Sequence, residues 1–192
     1  MRKIRIFEHI SLDGVIQSSG EDNFPYENWT TAYRSPAGLA ILVEKYGERF
    51  DLLLGRRTYD IWSTYWPTAQ SNPMADRLNA ATKYVVTHRP ESLGWGPFVG
   101  VEPNAVDGIR RLKETDGVDL IVCGSSTLTS PLIEHALADE VNLITYPVLI
   151  GAGKRFFAEG TPASALTLHG TQALPTGVVV NTYKPAGPVS RK

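Results

Sequence analysis

The hydrophobic positions of this chain fall into short blocks that switch between a period of two and a period near 3.6. Ile4–Phe7 opens in strand fashion, with Ile4 and Ile6, then Ile10 and Leu12, set around a polar Glu8-His9 step. Ser35 followed by Pro36 is a helix start of the cap-then-proline kind. Leu39, Leu42, Val43 and Tyr46 follow at helical spacing, and Gly47 offers a stop. Asp51–Gly55, Lys83–Thr87 and Asp119–Gly124 are short continuous apolar runs, the pattern of strands buried on both faces. Between them Asn104 can cap a helix carrying Val106, Ile109 and Leu112. A later helix carries Leu128, Leu132, Ile133 and Ala136, with Pro131 inside it, so it either starts late or has distorted first turns. Val141–Tyr146 has strand character. Leu166–His169 and Gly177–Tyr183 then predict a hairpin turning at Leu174–Gly177. This alternation predicts a three-layer α/β fold: a mostly parallel central sheet, flanking helices and an antiparallel C-terminal hairpin. Residues 1–184 are expected to form one domain. The segment 185–192, with two prolines and a glycine, is expected to be a loose tail.

Three of the buried strands end in the same kind of signal. Leu54–Tyr59 has a glycine, two arginines and Thr58, which can cap a short helix through Tyr59 and Trp62. Val86–Pro90 repeats a hydroxyl and an arginine at a strand end, and Cys123–Thr127 opens a helix with a glycine and three hydroxyls. Ligands of parallel α/β sheets sit outside the carboxyl ends of the strands. Three such ends together would offer guanidinium groups, hydroxyls and backbone N–H groups to a nucleotide with several phosphates. Other signatures do not occur. Gly151-Ala-Gly153 begins like a dinucleotide fingerprint but has Phe156 where the third glycine belongs, and there is no Walker loop or nucleophile elbow.

Composition narrows the class. The chain has 192 residues, 42% of them hydrophobic, which is enough for one substantial core. Its 19 basic and 20 acidic residues give a net charge of −1, so the broad cationic field that nucleic-acid binding needs is absent. No apolar run approaches the roughly 18 residues of a membrane span, and the N-terminus runs straight into strand-like sequence, so a cytoplasmic protein is expected. The single cysteine, Cys123, excludes an intrachain disulfide and reads as an inert core residue. The four histidines (His9, His88, His135, His169) are scattered, and no metal site is expected.

Several segments, taken together, resemble the dihydrofolate-reductase-like family, and within it the branch of the riboflavin-biosynthesis reductase domain. They are Ser11–Ile16, Leu54–Tyr59, Val85–Arg89, Gly124–Leu128, Asp139–Gly153 and the pair Phe156-Phe157, in family order. The resemblance implies an NADPH-dependent oxidoreductase that passes a hydride to a small flat heterocycle of pterin or aminopyrimidine type. Gly55 would belong to the cofactor site, and Arg56, Thr87, His88 and Arg89 would surround the adenosine 2′-phosphate. Arg57 and Thr58 would face the pyrophosphate, with Gly124, Ser125, Ser126, Thr127 and Leu128 on its other side. Ile10, Val15 and Ile16 would wall the nicotinamide, and Asp13 would lie near substrate as the leading catalytic residue, its alternative role being to hold the Asp13-Gly14 turn. Pro147, Gly151, Phe156 and Phe157 would border the substrate. Trp29, Tyr33, Trp62, Tyr65 and Trp66 are further aromatic candidates, though at these spacings aromatic residues more often build core. Dihydrofolate reductases carry a pterin-holding acid on the helix before the Gly-Arg-Arg-Thr type motif. Leu39 stands at that place here, and the nearest carboxylate is Glu44. A true dihydrofolate reductase with an atypical substrate site, and an NADPH-binding protein without turnover, are the alternative readings. The resemblance also implies pairing as a homodimer.

Overall fold

A computed structural model describes residues 1–102, 105–157 and 161–189. Its framework is one eight-stranded sheet in the order β4-β3-β2-β5-β1-β6-β8-β7. The strands are β1 (Ile4–Ser11), β2 (Asp51–Gly55), β3 (Lys83–Val86), β4 (Phe98–Val101), β5 (Leu120–Cys123), β6 (Glu140–Tyr146), β7 (Ser164–Ala173) and β8 (Val179–Pro188). The first six pair in parallel, and β8 runs antiparallel to both β6 and β7.

Among the described residues five α-helices cover the sheet: α1 (Pro36–Tyr46), α2 (Arg56–Tyr65), α3 (Pro73–Ala80), α4 (Ala105–Glu114) and α5 (Ser126–Glu134). Alternation along β1 divides the core between the two faces. Phe7 packs with Tyr46, Tyr59, Met74 and Leu78 under α1–α3, whereas Ile4, Ile6 and Ile10 pack with Ile109, Leu128 and Leu132 under α4 and α5. Leu52, Leu53 and Leu54 are fully buried, so β2 is covered on both faces, and each such side chain contributes about 1.5–3 kcal/mol of burial. The predicted three-layer architecture is therefore the one observed.

Local signals account for most element ends. The Ser35 hydroxyl accepts the Gly38 N–H at 3.1 Å, Pro36 occupies the first helical turn of α1, and Gly47 ends that helix at φ 86°. Asn72 caps α3 in the same way. Three expectations are corrected. Thr58 does not cap α2: the helix begins at Arg56 after Gly55, without a side-chain cap, and Thr58 lies in its first turn. Of the two readings of Pro131, α5 starts early, at Ser126, and holds the proline inside, while Ala136 lies beyond the helix at φ 52°. The segment 185–192 is not wholly a tail, because β8 runs to Pro188 and pairs Pro185 with Leu166 and Pro188 with Ser164. Past Tyr183, β8 has left β6 and keeps only β7 as a partner, so one edge no longer needs the N–H groups that proline lacks. Strand β4 and helix α3 were not predicted. Asn104 and residues 190–192 lie outside the described residues.

Candidate active site

The C-terminal ends of β2 and β3 and the start of α5 border one cleft of about 340 Å³. It is lined by Gly55, Arg56, Arg57, Val86, Thr87, His88, Arg89, Thr127 and Leu128. Gly55 sits where an added Cβ would lie 3.1 Å from Ser125 Oγ, closer than side chains usually pack, so glycine eases the close approach of the backbone to the start of α5. The Ser125 hydroxyl ties the two walls, meeting the Gly55 N–H and Thr58 Oγ1 at 2.9 Å each. Gly124, Ser125, Ser126 and Thr58 do not line the cleft, and of these Ser125 and Thr58 join its walls from behind.

Arg56 is already engaged. Its guanidinium donates to Asp60 (2.8 Å), Ser92 (2.6 Å), the Arg89 carbonyl (3.1 Å) and Thr87 Oγ1 (3.3 Å), which fixes the loop after β3. Arg57, expected to face a pyrophosphate, instead pairs with Glu21 and Asp22 from the long β1–α1 connection. Arg89 and His88 are exposed, and their side chains have no partner among the described residues. These two side chains, and the uncapped start of α2, suit an anion.

A second cleft of about 450 Å³ opens at the ends of β1 and β6, lined by Ile10, Ser11, Leu12, Asp13, Gly14, Leu143, Thr145, Arg155 and Phe157. Asp13 is saturated here. It accepts from Ser11 Oγ (2.6 Å), Gly151 N–H (2.8 Å) and Ile150 N–H (3.0 Å), with the Arg155 guanidinium 3.6 Å away. The Ser11 hydroxyl, then the two amides, hold its carboxyl well below the usual carboxylate range. These hydrogen bonds engage both carboxylate oxygens and pin two loops together. Val15 and Phe156 are fully buried in core rather than lining a site, because the Phe156-Phe157 pair divides, one ring inward and one into the cleft. Ile16 packs against the second core cluster, Gly151 serves Asp13 through its amide, and Pro147 is exposed beside Gly177. None of these three lines either cleft.

The Glu8-His9 step marks groups that the sequence reasoning did not place in a site. Its signal was visible as two polar residues in succession on an otherwise apolar strand. Glu8 is buried with Oε2 unpartnered, and burial pushes its carboxyl up to about 8 against the backbone N–H groups of His9 and Gly124. His9 faces the opposite side. Its Nδ1 lies 2.7 Å from the Tyr146 hydroxyl, and Tyr146 meets Trp29 and Tyr33 edge-on at 5.2 and 5.6 Å. Trp62 and Trp66 pack against the same core, while Tyr65 is exposed. Burial pushes the Cys123 thiol up to about 12, in keeping with an inert core residue. Among the described residues, no group of three or more His, Cys, Asp or Glu is placed to hold a metal, and no helix is long and apolar enough to cross a membrane.

Sheet order, helix placement and strand-end clefts define a dihydrofolate-reductase-like fold. Dihydrofolate reductase from Enterococcus faecalis, complexed with NADP(H), superimposes over 96% of each chain with a TM-score of 0.61 at 18% identity. Within that fold the resemblance to the riboflavin-biosynthesis branch holds: the RibD C-terminal domain family matches residues 99–180. The Thermotoga maritima diaminohydroxyphosphoribosylaminopyrimidine deaminase/5-amino-6-(5-phosphoribosylamino)uracil reductase aligns with 96% of this chain and 57% of its own, with a TM-score of 0.67 at 14% identity. The uncharacterized protein YyaP of Bacillus subtilis (strain 168) is 26% identical over 136 residues, 69% of this chain and 72% of YyaP.

Proposed function

We propose that this chain is an NADPH-dependent reductase of a small flat heterocycle, of aminopyrimidine or pterin type. The observation that carries the reading is the first cleft, where Arg56, Thr87, His88 and Arg89 converge on the starts of α2 and α5. Its donors suit the phosphates of a dinucleotide, and the exposed Arg89 and His88 suit a 2′-phosphate. When bound, the cofactor supplies a hydride. The chain's own part is to hold the phosphates, keep the ring against the central strand ends and shield the acceptor from water. The relatives' names support a reductase. Leu39 is exposed on α1 and brings no acid to the substrate side, which favours an aminopyrimidine over dihydrofolate.

Quenching of the four tryptophans tests the cofactor. NADPH should quench at lower concentration than NADH. Arg89→Ala should weaken NADPH about tenfold, as loss of one solvent-exposed charge-assisted phosphate contact, and leave NADH nearly unchanged. Equal affinity of wild type and Arg89→Ala for NADPH overturns the assignment. Absorbance at the NADPH band, with dihydrofolate and 5-amino-6-(5-phosphoribosylamino)uracil as acceptors, then tests turnover, and NADPH binding without oxidation would mean a binding protein.

A further inference from the structure

β1 lies near the middle of the sheet, between β5 and β6, with α1–α3 over one face. A side chain on that face of a central strand would ordinarily be buried, yet His9 is only half-buried. Parallel pairing sets His9 beside Ile144 and Ser11 beside Tyr146, which brings the imidazole and the phenol together at the C-terminal ends of both strands. Trp29 and Tyr33 meet Tyr146 in T-shaped contacts, and aromatic surfaces of this kind accept a flat ring.

We propose that the His9–Tyr146 pair is the proton donor of this active site. The proposal rests on the reductase reading above. Both groups are neutral near pH 7: burial, then Arg34, pushes the imidazole down to about 4, and burial pushes the phenol up to about 12 against Arg34. Two neutral groups joined by one hydrogen bond leave one proton over, on the phenol if Nδ1–H donates and on Nε2 if the hydroxyl donates. The chemistry balances. The unsaturated acceptor carbon gains a hydride, with its electron pair, from the reduced nicotinamide, which is thereby oxidised. The adjoining nitrogen or oxygen gains the proton of the pair, and the pair, left negative beside the Arg34 cation, recovers a proton from water. Other acids are unsuited: Asp13 is held ionised, and Glu8 is sealed on the opposite face.

The test uses the full chain and two variants. Tyr146→Phe keeps the ring and its packing and removes the hydroxyl; His9→Gln keeps a hydrogen-bonding group. NADPH quenching should match wild type within about twofold in both, since neither touches the phosphate cleft. With dihydrofolate or 5-amino-6-(5-phosphoribosylamino)uracil as acceptor, Tyr146→Phe should lower kcat about 100-fold or more and abolish the solvent deuterium isotope effect, while His9→Gln should lose less. A readout without cofactor accompanies these. NMR titration should show the His9 ring of the apo protein neutral down to about pH 4, with its Nδ1 resonance moved in Tyr146→Phe. Wild-type turnover in Tyr146→Phe overturns the pair while leaving the reductase reading intact. Titration of His9 near its ordinary 6.5, or no oxidation with either acceptor despite NADPH binding, also overturns it. Failure to bind NADPH removes the reductase reading, and the pair with it.

Discussion

Replacing Glu8 by glutamine should stabilise the protein by an amount that grows with pH. The side chain is buried, Oε2 has no partner among the described residues, and its carboxyl is pushed from the ordinary 4.5 up to about 8. An acid whose folded pKa is raised leaves stability untouched below the unfolded value and erodes it as pH rises from there to the folded one. At about 1.4 kcal/mol per pH unit of separation, the penalty is about 1 kcal/mol at pH 5, about 3 kcal/mol at pH 7 and close to 5 kcal/mol at pH 9. Glu8→Gln keeps the shape and removes the ionisation, so constant effects of the amide cancel when pH values are compared. Urea denaturation of both proteins at pH 5, 7 and 9 measures the difference. Its increase by about 4 kcal/mol from pH 5 to pH 9 is the expected result. A difference that stays flat across that range would refute the burial argument, because it would mean that Glu8 ionises in the folded state as easily as in water.

Lys83, fully buried with its ammonium on the Asn79 carbonyl and 4.3 Å above the Trp95 ring, is pushed by burial from 10.5 down to about 8. Its penalty is complete below about pH 8 and gone above 10.5, so the stability of Lys83→Met relative to wild type should fall by about 3 kcal/mol between pH 7 and 11 in urea titrations. Gly55→Ala places a methyl 3.1 Å from Ser125 Oγ and 3.3 Å from its Cβ. It should cost about 1–3 kcal/mol in the same assay and weaken NADPH quenching, whereas an unchanged unfolding midpoint would show that the two cleft walls are not in close contact.

The strands most legible in the sequence were those that the fold buries twice. Asp51–Gly55 and Leu120–Cys123 read as continuous apolar runs because helices cover both of their faces. Phe98–Val101 gave no such signal, since β4 is the sheet edge and Phe98, Val99 and Gly100 are exposed. Asn72-Pro73 carries the same cap-then-proline signal as Ser35-Pro36 and could have announced α3. The first cleft was legible because its residues follow strand ends directly. The His9–Tyr146 pair was not, for it exists only through the register of β1 against β6. Nor does local sequence tell that Arg57 turns to Glu21 and Asp22, because that choice is made by a connection that has no periodicity of its own.

The pairings that assemble the site span long stretches of chain: 137 residues from His9 to Tyr146, 137 from Asp13 to Ile150 and 70 from Gly55 to Ser125. Each closes a large loop before its contacts repay the lost entropy, and folding dominated by such closures is slow. During synthesis β1 emerges first, yet its site-bearing end waits for β6, more than a hundred residues later. Binding competence should therefore appear late and all at once in refolding, after most helical signal has returned. A ligand added during refolding would act on the last step alone, by trapping finished molecules and not by hastening the search for β6.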